Sequence, residues 1–195
     1  CTWRAWGPIC RVHCSIGEVE GRERRMYKAL RVDMSTLAVS EEALPERWRT
    51  LGGRGLVDKV LLEEVDPTCE PLGPGNRLIF ATGIFAGHIN VSSSGRLSIG
   101  FKSPLTGGIK ESNGGGTVGH KLGRLGYRLI VVHGEPADGG HYVLKIDKDG
   151  ARLLPGESYW GRRCFDSAEA LRAEHGSRVG VATIGPIGER GYLIG

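Results

Sequence analysis

The chain reads as an α+β protein. Apolar runs of strand length outnumber segments of helical period, and consecutive strands are joined by hairpin turns or short helices, unlike the long crossovers of a doubly wound sheet. Glycine supplies the third observation: 32 of 195 residues, against a usual ~7%, mark turns and close backbone approaches.

Taken in order, residues 1–25 carry no sustained period and end in a charged cluster, so they read as a disordered lead-in, with Met26 as the natural start. Ala29–Asp33 alternates as a strand, Ser35-Thr36 turns, and Leu37–Val39 returns as a second short strand. Leu44–Leu51 reads as a short helix with Pro45 at its first position, interrupted by Gly52-Gly53-Arg54-Gly55. Leu56, Val60 and Leu61 give the next helix an apolar face, ending before Asp66-Pro67 because a residue preceding proline leaves the α region. Pro71 to Asn76 is a loop and Leu78–Ala81 a buried strand ending at Gly83. Leu129–Val132 is another, reached through Gly126-Tyr127. Tyr142–Ile146 and Ala151–Leu154 form a hairpin around Asp149-Gly150, where glycine supplies the positive φ. Asp166 with Glu169 reads as a capping-box variant for a helix from Ser167 to Glu174, closed by His175-Gly176. Val179–Ile184 is the last strand.

The most informative stretch is Ser94 to Gly119. Leu97, Ile99 and Phe101 alternate with Ser98, Gly100 and Lys102, the pattern of a half-buried strand, with Arg96 at its mouth. Asn113-Gly114-Gly115-Gly116 reads as an irregular loop needing positive φ, and Val118, Leu122 and Leu125 start a helix. Strand, glycine loop and helix N-terminus together suit an anionic ligand or cofactor. An arginine beside glycine backbone and Asn113 suits a phosphate or polar heterocycle. The letters Gly114-x-Gly116-x-x-Gly119 match a dinucleotide fingerprint, but no strand stands directly before them and Asp138 lies in a turn. A plain structural glycine turn and a nucleotide site remain alternatives at this level.

Composition narrows the classes. Net charge is +4, of which residues 1–25 supply five Arg against three Glu, and no basic stripe with interleaved aromatics is present, so no nucleic-acid partner is expected. No run reaches the ~18 apolar residues of a membrane span, and a cytoplasmic location is the default. The five cysteines, Cys1, Cys10, Cys14, Cys69 and Cys164, make neither an even disulfide framework nor a CxxC pair. Six single histidines form no HxH or HExxH, so no protein-ligated metal site and no catalytic residue is assigned.

The joint series Leu51-Gly52-Gly53-Arg54-Gly55-Leu56, Asp66-Pro67, Leu78-Ile79 with Gly83, Gly95-Arg96, Lys102 to Gly107 (KSPLTG), Ser112-Asn113 with Gly115, Gly126-Tyr127, Trp160-Gly161 and Ile184-Gly185-Pro186 resembles the N-terminal domain of the aldehyde ferredoxin oxidoreductase family. The resemblance covers residues 26–195 and implies a domain that continues past Gly195. It implies two β-sheets related by a pseudo-twofold, forming a base for a bis-pterin cofactor of tungsten or molybdenum. It also implies magnesium, and a [4Fe–4S] cluster ligated by residues outside this chain. The implied partners are a small aldehyde, ferredoxin and the remaining domains; the implied reaction is oxidation of the aldehyde to a carboxylic acid.

Carried over by position, Arg96 would contact the pterin and lie between it and the cluster. Asn113, Gly114 and Gly115 would meet the cofactor or its magnesium-bridged phosphates. Gly83-Ile84-Phe85-Ala86-Gly87-His88 departs from the family's GPLTGT, which alters the wall of the cleft. The segment alone is expected to be inactive; the alternative is a stand-alone, non-catalytic binding or assembly module with the same fold.

Overall fold

A computed structural model describes residues 11–14, 27–88, 90–92 and 94–193. Among the described residues ten strands run in chain order: β1 (Arg11–Cys14), β2 (Lys28–Asp33), β3 (Ala38–Ala43), β4 (Arg77–Thr82), β5 (Leu97–Lys102), β6 (Ile109–Gly114), β7 (Tyr127–His133), β8 (Tyr142–Asp147), β9 (Gly150–Pro155) and β10 (Gly180–Ala182). The helices are α1 (Gly53–Glu64), α2 (Val118–Arg124), α3 (Cys164–His175) and α4 (Pro186–Glu189). One sheet has the order β3-β2-β7-β4-β5-β6 and the other β10-β1-β8-β9.

The two sheets are built by the same series of elements. In the first half, β1 is followed by the β2–β3 hairpin, a 3₁₀ turn at Glu46–Trp48, α1 and β4; in the second, β7 is followed by the β8–β9 hairpin, a 3₁₀ turn at Glu157–Tyr159, α3 and β10. Each half lends its leading strand to the other sheet. Thus β7 lies parallel to β2 and antiparallel to β4, while β1 lies parallel to β8 and antiparallel to β10. Strand exchange of this kind ties the halves together through backbone hydrogen bonds as well as through packing.

The layers follow from where the apolar side chains point. Leu30, Val32, Ile130 and Val132 of the six-stranded sheet meet Leu144 and Ile146 of the other, with Val118 and Leu122 of α2 at the same core. On the outer face of the six-stranded sheet, Leu56, Val57, Val60 and Leu61 of α1 and Trp48 cover Ala29, Ile79, Leu129 and Val131. On the outer face of the second sheet, Leu171 of α3 and Tyr159 cover Val143. The result is an α/β/β/α sandwich. The continuous apolar run of β7 is explained by burial on both faces.

Several expectations need correcting. Four residues of the segment read as disordered, Arg11–Cys14, form a strand that pairs with β8 on one side and β10 on the other; the rest of that segment lies outside the described residues. Leu44–Leu51 is a single 3₁₀ turn with Pro45 before it in extended conformation. The Gly52–Gly55 run begins α1, with Gly53 at φ +54°. The capping box at Asp166 does not form: α3 starts three residues earlier, after Arg163, without a side-chain cap. Finally, residues Ile109–Gly114 are strand β6, so Asn113 and Gly114 belong to a hairpin with β5, and of the four loop residues only Gly116 has positive φ, at +125°.

Candidate functional site

The β5–β6 hairpin and the start of α2 bring Arg96, Asn113, Gly114 and Gly115 together. Arg96 immediately precedes β5, and the register pairs Leu97 with Gly114 and Ser98 with Asn113. The Arg96 guanidinium donates through Nε to Asn113 Oδ1 and through Nη2 to the Asn113 carbonyl at 3.4 Å. A β-carbon on Gly115 would stand 4.0 Å from Arg96 Nη1, and one on Gly116 would meet nothing within 4 Å. Residues 112–117 are all exposed, as is Arg96. The surface is therefore an open shelf: a held guanidinium backed by bare glycine backbone.

The backbone beneath Arg96 is fixed by close approach. A β-carbon on Gly119 would lie 2.6 Å from the Gly95 carbonyl oxygen, and one on Gly95 would lie 3.1 Å from that of Gly116. These glycines let α2 press against the mouth of β5. The dinucleotide reading of Gly114, Gly116 and Gly119 fails on topology: β6 pairs antiparallel with β5, and α2 leads to β7 between β2 and β4, which is not a parallel βαβ unit. At the other end of α2, Gly123 faces the Ala86 carbonyl and Gly87 the Arg124 amide, each too close for a β-carbon. The loop 83–88 is thereby clamped, leaving Ile84 and Phe85 exposed.

The polar face of β5 is the buried one. Ser98 and Gly100 lie beneath α1, where a β-carbon on Gly100 would be 2.1 Å from Val57 Cγ1, and Lys102 lies under the loop that follows the helix. Asn113 Nδ2 donates to Ser98 Oγ at 3.1 Å, and Arg54, in the first turn of α1, donates to Glu111 Oε2 at 3.0 Å. Burial would raise the Glu111 carboxyl; the Ser98 hydroxyl, the Arg54 guanidinium and the Asn113 amide outweigh it and hold the group below the ordinary carboxylate range. Sequence reasoning missed Ser98, Glu111 and Arg54 as parts of this site. The signal that could have found them is period two: Glu111 and Asn113 share a face of β6 once residues 109–114 are taken as a strand.

Among the described residues no three His, Cys, Asp or Glu side chains converge where a metal ion could sit. No described helix is long and apolar enough to cross a membrane. Cys69 and Cys164 are free thiols.

A base of two sheets carries this exposed arginine–asparagine shelf, and the chain is similar to oxidoreductases. Residues 29–195 match the family described as aldehyde ferredoxin oxidoreductase, N-terminal domain, and the chain belongs to that family. The tungsten-containing aldehyde ferredoxin oxidoreductase of Pyrococcus furiosus is 36% identical over 94% of this chain and 27% of its own length. That of Thermococcus kodakarensis is 34% identical over the same shares. A Pyrococcus furiosus protein named aliphatic sulfonate oxidoreductase, WOR-like subunit, is 31% identical over 75% of this chain. Among solved structures, the active-site complex BamBC of benzoyl coenzyme A reductase, bound to 1,5-dienoyl-CoA, superposes with a TM-score of 0.71 at 28% identity, covering 76% of this chain and 23% of that one. The chain spans about a quarter of the length of the curated relatives it matches.

Proposed function

We propose that this domain is the pterin-bearing base of a tungsten-dependent oxidoreductase that oxidises an aldehyde to a carboxylic acid and passes the electrons to ferredoxin. The observation that carries the reading is the Arg96–Asn113 pair on a glycine shelf, in a family whose named relatives contain tungsten. The residues present fit a flat, anionic group. Arg96 offers cationic donors, Gly115 and Gly116 leave room for a ring or phosphate to approach the backbone, and Asn113, engaged with Arg96 and Ser98, has one Nδ2 proton left to donate.

In this reading Arg96, Asn113, Gly114 and Gly115 would hold the pterin, its phosphates and their magnesium. Molybdenum is the alternative metal. The bound cofactor supplies the oxygen transfer and two-electron change. The chain's own part is positional. Arg96, fixed through Asn113, gives a localised positive charge that favours the extra negative charge of a reduced ligand without reorganising. The cysteines of a [4Fe–4S] cluster would then belong to parts of the enzyme outside this chain.

The complete enzyme, purified and analysed for tungsten, molybdenum, iron and pterin, tests this. Tungsten and pterin in fixed ratio, with aldehyde-dependent reduction of ferredoxin, are expected. Absence of pterin from an enzyme grown with tungstate and molybdate would contradict it.

A further inference from the structure

We propose that Glu111 is a positioning residue for the Arg96–Asn113 pair, acting through the hydroxyl of Ser98. The inference rests on the reading above, that Arg96 and Asn113 hold the cofactor.

Three observations lead to it. Ser98 is 1% exposed and its Oγ accepts from Asn113 Nδ2, so its own proton must point elsewhere. Glu111 stands beside it with a side chain only 7% exposed; one carboxylate oxygen takes Arg54 at 3.0 Å, and the other, Oε1, is buried with no hydrogen bond closed onto it, although the Ser98 hydroxyl and the Asn113 amide stand near enough to lower the carboxyl's pKa. A buried acceptor without a donor and a neighbouring hydroxyl proton without an acceptor are complementary. Ser98, Glu111 and Asn113 also share one face of the β5–β6 hairpin, since Ser98 pairs with Asn113 and Glu111 is two residues before it.

The consequence is directional. With Glu111 ionised, the Ser98 proton turns to the carboxylate and Ser98 is left as an acceptor towards Asn113. The amide must then present Nδ2 to Ser98 and Oδ1 to Arg96, the orientation observed. Without a full acceptor at residue 111, Ser98 can donate to Asn113 instead. The amide turns over, its NH₂ faces the guanidinium, and Arg96 loses its side-chain anchor, keeping only the long contact to the Asn113 carbonyl. Arg54 holds the carboxylate in place from the first turn of α1, so the chain of contacts runs from that helix to the shelf.

The test uses the complete enzyme and follows release of tungsten and pterin under chelator, a readout separate from activity. Glu111→Gln, which keeps the shape but not the charge, is expected to speed release about tenfold, the scale on which outer partners of a ligating group act. On an Asn113→Ala background the same substitution is expected to change release less than twofold, because the residue through which it acts is gone. A merely structural glutamate would give its full tenfold on both backgrounds, and that result overturns the proposal. So does wild-type release from Glu111→Gln when Arg96→Ala releases fast. If Arg96→Ala also releases at the wild-type rate, the cofactor reading itself has failed. Should Glu111→Gln not fold, Ser98→Ala runs the same cycle with the same expected outcomes.

Discussion

A methyl group on Gly119 would lie 2.9 Å from the carbonyl oxygen of Arg96. The position of the arginine is thus set by a glycine in the first turn of a helix 23 residues further along the chain. Gly119→Ala forces α2 away from β5 and is expected to destabilise the protein by about 1–3 kcal/mol, as overpacking does. Gly55, inside α1 with nothing within 4 Å of its would-be β-carbon, is the control: Gly55→Ala should stabilise by roughly 0.5–1 kcal/mol. Denaturant unfolding of the two variants should move in opposite directions.

Gly100 and Val57 define a second tight contact, and it can be reversed. Gly100→Ala drives a β-carbon into Val57 and is expected to lower stability by about 1–3 kcal/mol. Adding Val57→Ala makes room. The double variant should be more stable than the sum of its single losses by at least ~1 kcal/mol; strict additivity would argue that α1 does not lie on β5 as described.

Two neighbouring glutamates of α1 differ in what they hold. Glu64 takes a bidentate pair from Arg31 at 2.5 and 2.7 Å, half-buried between α1 and β2. The Arg31 pKa is pushed up, first by this hydrogen bond, against burial, with Glu42 adding to it. Glu64→Gln is expected to cost about 1–3 kcal/mol, as for a charged hydrogen bond lost from a partly buried pair. Glu63 pairs with Arg47 and Lys59 at the surface, and Glu63→Gln should change thermal stability little.

Acidification should weaken the fold at β7 before it reaches the carboxylates. Burial, and then the charge of Arg77, lower the His133 pKa against the opposing pull of Asp33, whose carboxylate lies 3.8 Å away. A histidine neutral in the native state takes up its proton on unfolding. Stability therefore declines as pH falls through the unfolded value of ~6.5 and stops declining below the lowered native pKa. His133→Gln should flatten that part of the stability–pH curve. An unchanged slope near pH 6 in the variant would contradict the assignment.

Much of the fold was legible because local signals agreed with global packing. Asp149-Gly150 announced its hairpin and Gly150 has φ +120°; the apolar run of β7 announced two-sided burial. Where the signals failed, a distant element had intervened. Ser98, Gly100 and Lys102 look like a solvent face and are buried because α1 and the loop after it lie on them. Lys102 keeps its charge there by donating to the carbonyls of Pro67 and Cys69. Lys110 to Gly114 looks like a loop and is an edge strand because β5 offers it a partner. Strand β1 carries no period of its own and exists by pairing with the other half. In the site, Arg96 and Asn113 were named from the arginine beside the glycine run and from the family resemblance, and the structure brings the two together; the Ser98–Glu111–Arg54 support was not legible, since it depends on the register of β6 and the seat of α1.

On the proposed reading Arg96 and Asn113 hold the cofactor. Tungsten and pterin per polypeptide, measured in the complete enzyme carrying Arg96→Ala beside the unaltered enzyme, decide whether they do. A severalfold lower content is expected in a variant that still folds, with turnover falling at least as far. Equal content and equal turnover would rule that role out.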